Sequence, residues 1–415
     1  MNLLKTSVLN GVAVLIKTAT MFILNKILAV YVGPAGYAAI GQFQNFIQMV
    51  TNFAGSAINT AVIKYTAEYH GDETKQRAIW KAAGSLVLIF SFIFSLIILI
   101  FQKQLSLYIF QTTAFQSIFA WFATFLVLFN LNALFLAILN GKKEILKLVT
   151  ANIMGSILSL LVTGTLAIQY HLYGALIALS IYQSVAFFVT LFLCYKSTWF
   201  KFSYLFGKIE PQVAKNFAAF ALMALVSAIC VPLSQMIIRS YLSQKFGLNY
   251  AGYWEAMIRL STAYLMLVTT TLGVYYLPRL AELTHLDEIK KEVYLGYKFI
   301  FPLAVVGGMG VYILRDWIIT LLFSQAFMPM RDLFLWQMIG DSLKIGSWIL
   351  AYLMLSKAMT KLFVVTEIIF SLSLVLLTYI CTQVTGFEGV SIAYLINYAL
   401  YWLVMSILIF QNLKR

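Results

Sequence analysis

Polar residues in this chain come in short clusters, and the stretches between them are long and apolar. A helix needs about 20 predominantly apolar residues to cross the hydrocarbon core of a bilayer. Twelve stretches meet that condition: residues 7–31, 37–63, 80–102, 114–139, 146–168, 173–195, 214–241, 250–278, 294–314, 334–356, 362–384 and 389–411. The pattern predicts an all-α integral membrane protein with twelve transmembrane helices. The first stretch begins after Met1–Lys5 and runs far beyond a signal-peptide core of about 7–15 residues, so it reads as a retained helix. The connections are short, and the longest are 196–213 and 279–293.

The spans repeat. A shift of about 215 residues carries Gly33 onto Gly247, Lys142 onto Lys357, and Gly174-Ala-Leu-Ile-Ala178 onto Gly389-Val-Ser-Ile-Ala393. Six spans is an even number, so both halves enter the membrane from the same side and form parallel repeats. The expected organisation is a six-helix bundle over 1–195, a cytosolic linker over 196–213 and a second six-helix bundle over 214–415. Repeats of this kind place a substrate site at their interface.

Composition sharpens the class. The chain is 62% hydrophobic and 11% charged, whereas a soluble domain carries roughly 25% charged residues. A soluble enzyme, a disordered chain and a nucleic-acid-binding module are all excluded. The net charge of +14 is mostly topological. With the N-terminus in the cytosol, 20 Lys and Arg fall on the cytosolic side and 4 on the other. That asymmetry fixes the orientation, with both termini cytoplasmic. Cytosolic segments then carry +11, the outer side +1 and the spans +2.

Enzymatic signatures are missing. Cys194, Cys230 and Cys381 lie in apolar stretches without CxxC spacing. His70, His171 and His285 sit at loops or helix ends without metal-ligand spacing. Gly141-Lys142 and Gly207-Lys208 lack the upstream Gly and the following Ser/Thr of a phosphate-binding loop. The outer side holds only Asp316, Asp332 and Glu388, too little for a glycan polymerase or ligase with an acidic outer loop. No enzyme, cofactor or metal is expected.

The informative residues are the charges within spans: Lys17, Lys26, Arg239, Glu255, Arg259, Asp341, Lys344 and Glu367. Each costs about 2.5–3.5 kcal/mol on insertion scales, so such residues face a bundle interior or a water-filled cavity. Glu255 and Arg259 are four apart and Asp341 and Lys344 three apart, so each pair can meet on its own helix. Such a pair is either self-neutralised for insertion or lines a cavity where the acid takes up a proton. Gln337 extends the Asp341 stripe by one turn. Lys17 lies near mid-membrane with no acid on its own helix, and Asn10 shares its face. Lys26 is about 180° around that helix from Lys17 and close enough to the outer end to snorkel. Arg239, two residues from its predicted helix end, can snorkel too. Glu367 suits a helix-end contact or a lumen equally.

The second span carries a polar stripe of Gln44, Gln48, Asn52 and Asn59 around Gly55. It serves either interhelical hydrogen bonding or contact with sugar-like cargo. Pro232 and Pro302 lie within spans and predict kinks.

Several motifs add a resemblance. Val32-Gly-Pro-Ala-Gly-Tyr37, the polar second span and Lys64-Tyr-Thr-Ala-Glu-Tyr-His70 resemble the Wzx-type flippases. So do Leu314-Arg-Asp-Trp317, Met330-Arg-Asp-Leu-Phe334 with Trp336-Gln337, and Gly340-Asp-Ser-Leu-Lys344. The likeness is to the O-antigen and enterobacterial common antigen flippases of the multidrug/oligosaccharidyl-lipid/polysaccharide exporter superfamily. It runs over essentially the whole chain and is densest in 25–70 and 312–367.

The resemblance implies two six-helix bundles around a central cavity, a cationic lumen and alternating access in the bacterial inner membrane. It implies an undecaprenyl-pyrophosphate-linked oligosaccharide as substrate, a proton or sodium gradient as a driving force and other glycan-assembly proteins as partners. On that reading Lys17 and Arg259, with Lys344, Lys26 and Arg239 in support, attract pyrophosphate or acidic sugars. Asp341, Glu255 and Glu367 balance the charge or carry a coupling ion, and Gln44, Gln48 and Asn52 touch the glycan. Arg315, Asp316, Arg331 and Asp332 fix the outer ends of helices nine and ten. A drug/cation antiporter of the same superfamily is the alternative; it calls for an acid-dominated lumen, whereas here five cations face three acids.

Overall fold

The computed structural model describes residues 3–55, 58–207, 211–283, 285–357 and 359–413. Asn10 lies outside the described side chains, and residues 208–210 of the linker lie outside the described backbone. Among the described residues there are helices and no strand. The chain divides into two compact units, Met1–Pro232 and Leu233–Arg415.

The first unit holds α1 (Leu3–Tyr31), α2 (Gly33–Phe53), α3 (Asn59–Glu68), α4 (Glu73–Phe110), α5 (Gln116–Gly141) and α6 (Ile145–Tyr195). Helix α7 (Pro211–Phe246) carries the chain across the boundary. The second unit continues with α8 (Leu248–Thr271), α9 (Leu277–Glu282), α10 (Leu286–Ile313), α11 (Arg315–Leu322), α12 (Phe334–Ser356), α13 (Thr360–Thr385) and α14 (Gly389–Leu413). Among the described residues, seven helical runs are long and apolar enough to cross a membrane. Two of them, Ile145–Tyr195 and Thr360–Ile409, each contain two of the twelve expected spans. The prolines of the seventh and ninth spans, Pro232 and Pro302, both lie inside continuous helices.

The second span departs from expectation, because it is broken rather than continuous. Helix α2 stops at Phe53, and Gly55 adopts φ +139°, a conformation open to glycine. A Cβ there would stand 2.6 Å from the Val87 Cγ2. A helix break leaves backbone carbonyls without partners, a serious cost in a dry environment. Here the Ser91 hydroxyl donates to the Ala54 carbonyl over 3.4 Å, and Asn130 Nδ2 donates to Ser91 Oγ over 2.9 Å.

The duplication is visible atom by atom. In the turn after α5, Lys142 N donates to Ile138 O over 2.8 Å and Glu144 N to Leu139 O over 3.0 Å. In the turn after α12, Lys357 N donates to Leu353 O over 3.0 Å and Met359 N to Met354 O over 2.9 Å. Gly174 and Gly389 each allow the chain to double back tightly. A Cβ on Gly174 would reach the Leu166 carbonyl, and one on Gly389 the Cys381 carbonyl eight residues upstream. The corners just before them are also equivalent: His171 has φ 49°, ψ −130° and Gly386 has φ 70°, ψ −145°.

In each unit the fourth span of the repeat is the central helix. Helix α5 is buried along its length by α4 and α6, and α12 by α10 and α14. Lipid is as apolar as a leucine side chain, so close packing rather than water expulsion holds such helices together. Gly340 lets the Tyr394 ring pack on α12, and Gly346 does the same for Trp402.

The early part of the linker is folded onto the first unit. Trp199, Phe200 and Leu205 are buried in its core, and Gly84 of α4 lies against the Leu205 backbone. Ser85 Oγ donates to Gly207 O over 3.1 Å, and Trp199 Nε1 donates to Glu144 over 3.0 Å. Nearby, Lys142 bonds Gln76 at 3.0 Å beneath the Trp80 and Trp199 rings.

Candidate functional site

The second unit concentrates the buried charge in two adjoining clusters. The first joins α7 and α8. Arg239 donates to one oxygen of Glu255, and Arg259 donates through Nε to the other over 2.8 Å. The Arg239 side chain is 2% exposed and that of Arg259 16% exposed. The snorkelling expected of Arg239 is therefore wrong. Its helix runs on to Phe246, which moves Arg239 away from the end, and its counter-ion sits on the next helix. Two guanidinium groups thus meet at one carboxylate inside a bundle. Burying these charges is costly, and the two charge-assisted hydrogen bonds offset part of the cost.

The second cluster centres on Asp341 of α12, which is fully buried. Ser261 Oγ lies 2.7 Å from both carboxylate oxygens, and Gln337 Nε2 donates to Oδ1 over 3.3 Å. The expected direct pairing of Asp341 with Lys344 does not form. The Tyr394 hydroxyl stands between them, donating to Asp341 Oδ1 over 2.8 Å and accepting from Lys344 Nζ over 3.1 Å. The ammonium also lies 5.0, 5.4 and 4.8 Å from the ring centroids of Trp348, Tyr394 and Tyr398. Glu367 of α13 is half-buried in the same unit. Ser261 and the two tyrosines of α14 escaped the sequence reading; a tyrosine one turn from another, Tyr394 and Tyr398, was the available signal.

The other expected residues belong to the first unit. Lys17 is exposed on α1 and Lys26 is half-buried. On α2, Gln48 is exposed while Gln44 and Asn52 are half-buried. Asn52 spends its amide on the Gln48 carbonyl at 2.7 Å, a bond within its own helix. A polar link missed from sequence runs from α5 to α6: Asn132 donates to Gln183 over 2.6 Å and accepts from Thr190 over 2.7 Å. On the other expected lock, Arg331 meets Asp316 at 3.2 Å and Arg315 donates to the Tyr312 carbonyl over 2.9 Å.

Residues 3–284 match the family of polysaccharide biosynthesis proteins. The chain belongs to that family. Within it, the chain is 29% identical to the lipid III flippases of Escherichia coli (strain K12) and Shigella flexneri, over 407 residues that cover 97% of this chain and 97% of theirs. Its fold resembles that of a multidrug resistance MATE family transporter of the MOP superfamily in an inward-facing conformation. The TM-score is 0.81 over 96% of this chain and 94% of that one, at 14% identity. At that identity the likeness concerns fold alone. Family membership and the apolar helices together make this a multi-pass membrane protein.

Proposed function

We propose that this member of the polysaccharide biosynthesis family is a flippase. It carries an undecaprenyl-pyrophosphate-linked oligosaccharide, of O-antigen or enterobacterial common antigen type, from the cytoplasmic to the periplasmic leaflet of the bacterial inner membrane. The reading is supported by end-to-end likeness to proteins named lipid III flippases. The observation that carries the chemistry is the Arg239–Glu255–Arg259 cluster, two guanidinium groups meeting at one carboxylate. A guanidinium suits a pyrophosphate, and Arg259 is the more exposed of the two arginines.

In this reading Arg259 and Lys17 draw the pyrophosphate, and Lys26 and Arg239 shape the field around it. Gln44, Gln48 and Asn52 offer amides to sugar hydroxyls. The halves 1–195 and 214–415 alternate access around the 196–213 linker. Both termini are cytoplasmic, as the 20-to-4 division of basic residues supports. Coupling to a proton or sodium gradient passes through Asp341, with Glu255 and Glu367 as further acids, and other glycan-assembly proteins receive the cargo. Transport, not bond-making, is the activity.

The test is complementation of bacteria lacking either flippase. Restored surface glycan in one of the two strains is expected, and Arg259→Ala and Lys17→Ala chains that insert normally should restore less. Failure in both strains would reject the cargo class. Undiminished export by both variants would reject the cation assignment alone. In reconstituted vesicles, an imposed pH or sodium gradient should alter flipping by the parent chain and leave Asp341→Asn unaffected.

A further inference from the structure

The surroundings of Lys344 have the chemistry of an ammonium receptor. A cation within about 6 Å of an aromatic centroid is attracted by the ring quadrupole, and cages of several rings with nearby acids recognise alkylammonium groups. Here the rings of Trp348, Tyr394 and Tyr398 all lie 4.8 to 5.4 Å from one ammonium. Asp341 stands behind the Tyr394 hydroxyl.

The walls are held independently of the lysine. Tyr394 is buried, is anchored by its bond to Asp341, and packs edge-on to Trp254 with centroids 6.3 Å apart. It also sits on Gly340, where a Cβ would come within 2.6 Å of its ring. Tyr398 lies 4.7 Å from Tyr394, centroid to centroid. Removing the lysine side chain would thus leave three rings around an empty position, with Asp341 behind the Tyr394 hydroxyl.

We propose that Lys344 is the resident occupant of a small alkylammonium site in the C-terminal bundle, and that its side chain sets specificity by keeping organic cations out. The lysine is tethered, so a free cation must compete with a group at very high effective concentration. This differs from a lysine presented to an anion, because its ammonium is already committed to a tyrosine hydroxyl and three rings. The inference is independent of the flippase cargo.

The experiment uses the full chain in detergent and n-propylammonium, which replaces the atoms lost beyond Cβ in Lys344→Ala. Saturable binding is followed by the rise in unfolding temperature with ligand and by radiolabelled propylammonium. The alanine variant should bind at least about tenfold more tightly than the parent chain, the scale of a partly desolvated cation–π contact. Lys344→Arg should stay closed. Propanesulfonate, the anion of matched size, should not bind.

If the alanine variant does not fold, Lys344→Ser carries the same test. It vacates nearly the same space and should likewise gain binding. A folded variant that binds propylammonium no better than the parent, or binds the sulfonate equally, overturns the proposal.

Discussion

His171 and Gly386 occupy the same corner of two copies of one motif, 215 residues apart, and only the second is a glycine. Both corners lie in a left-handed region that admits glycine freely and strains other residues by about 1–3 kcal/mol. In the first copy the histidine ring has a use, since its Nδ1 lies 3.1 Å from the Tyr31 carbonyl at the end of α1.

The two contributions can be separated. His171→Ala keeps the strain and loses the ring contact, so it should lower stability by about 1 kcal/mol. His171→Gly loses the same contact but relieves the backbone. It should exceed the alanine variant by about 1–3 kcal/mol. Thermal unfolding in detergent reads the order directly, and an alanine variant equal to glycine would mean the corner is unstrained.

The arginine cluster predicts a different order. Glu255→Ala leaves two guanidinium groups without their carboxylate and should cost about 3–5 kcal/mol. Arg239→Ala should cost less, because Arg259 still pairs with Glu255 through Nε. Denaturant or thermal unfolding of the purified variants ranks them; equal losses would contradict the shared-carboxylate geometry.

Gly84→Ala probes the folded linker. The new Cβ would fall 2.3 Å from the Leu205 carbonyl and close to its backbone, which cannot swing aside as a flexible side chain would. Overpacking of this kind costs about 1–3 kcal/mol. Limited proteolysis around Phe202–Leu205 should speed up in this variant and remain slow in the parent chain.

Asp72 supplies a pH-dependent effect outside the membrane spans. It caps α4, accepting a hydrogen bond from the Lys75 amide at 3.0 Å, and that bond holds its carboxyl below the ordinary carboxylate range. The folded pKa is depressed, so the benefit is present above the unfolded value of about 3.9 and is lost as pH falls through the folded value. Amide exchange at Lys75 should be faster in Asp72→Ala than in the parent chain at neutral pH. The difference should vanish in strong acid.

Much of this architecture was legible in the sequence because a bilayer imposes a length on every apolar run. The twelve spans followed from that constraint and the repeat offset from matched residues such as Gly33 and Gly247, and the offset recurs in the turns after α5 and α12. The break at Gly55 was hidden, since a polar stripe reads the same in a continuous or a divided helix. Glu255 and Arg259 were paired correctly because their spacing of four acts within one helix. Arg239 was misjudged because its partner lies across a turn, at a spacing that no periodicity marks. The Lys344 surroundings were half visible: Trp348 is one turn away on α12, but Tyr394 and Tyr398 arrive from α14 only through tertiary packing.

The packing of Trp199, Phe200 and Leu205 against α4 bears on how this polypeptide can be divided. Two separately translated fragments should be cut after Gly207, not before Lys196. A cut at the earlier position would strip the first fragment of part of its own interior and attach those side chains, unprotected, to the second.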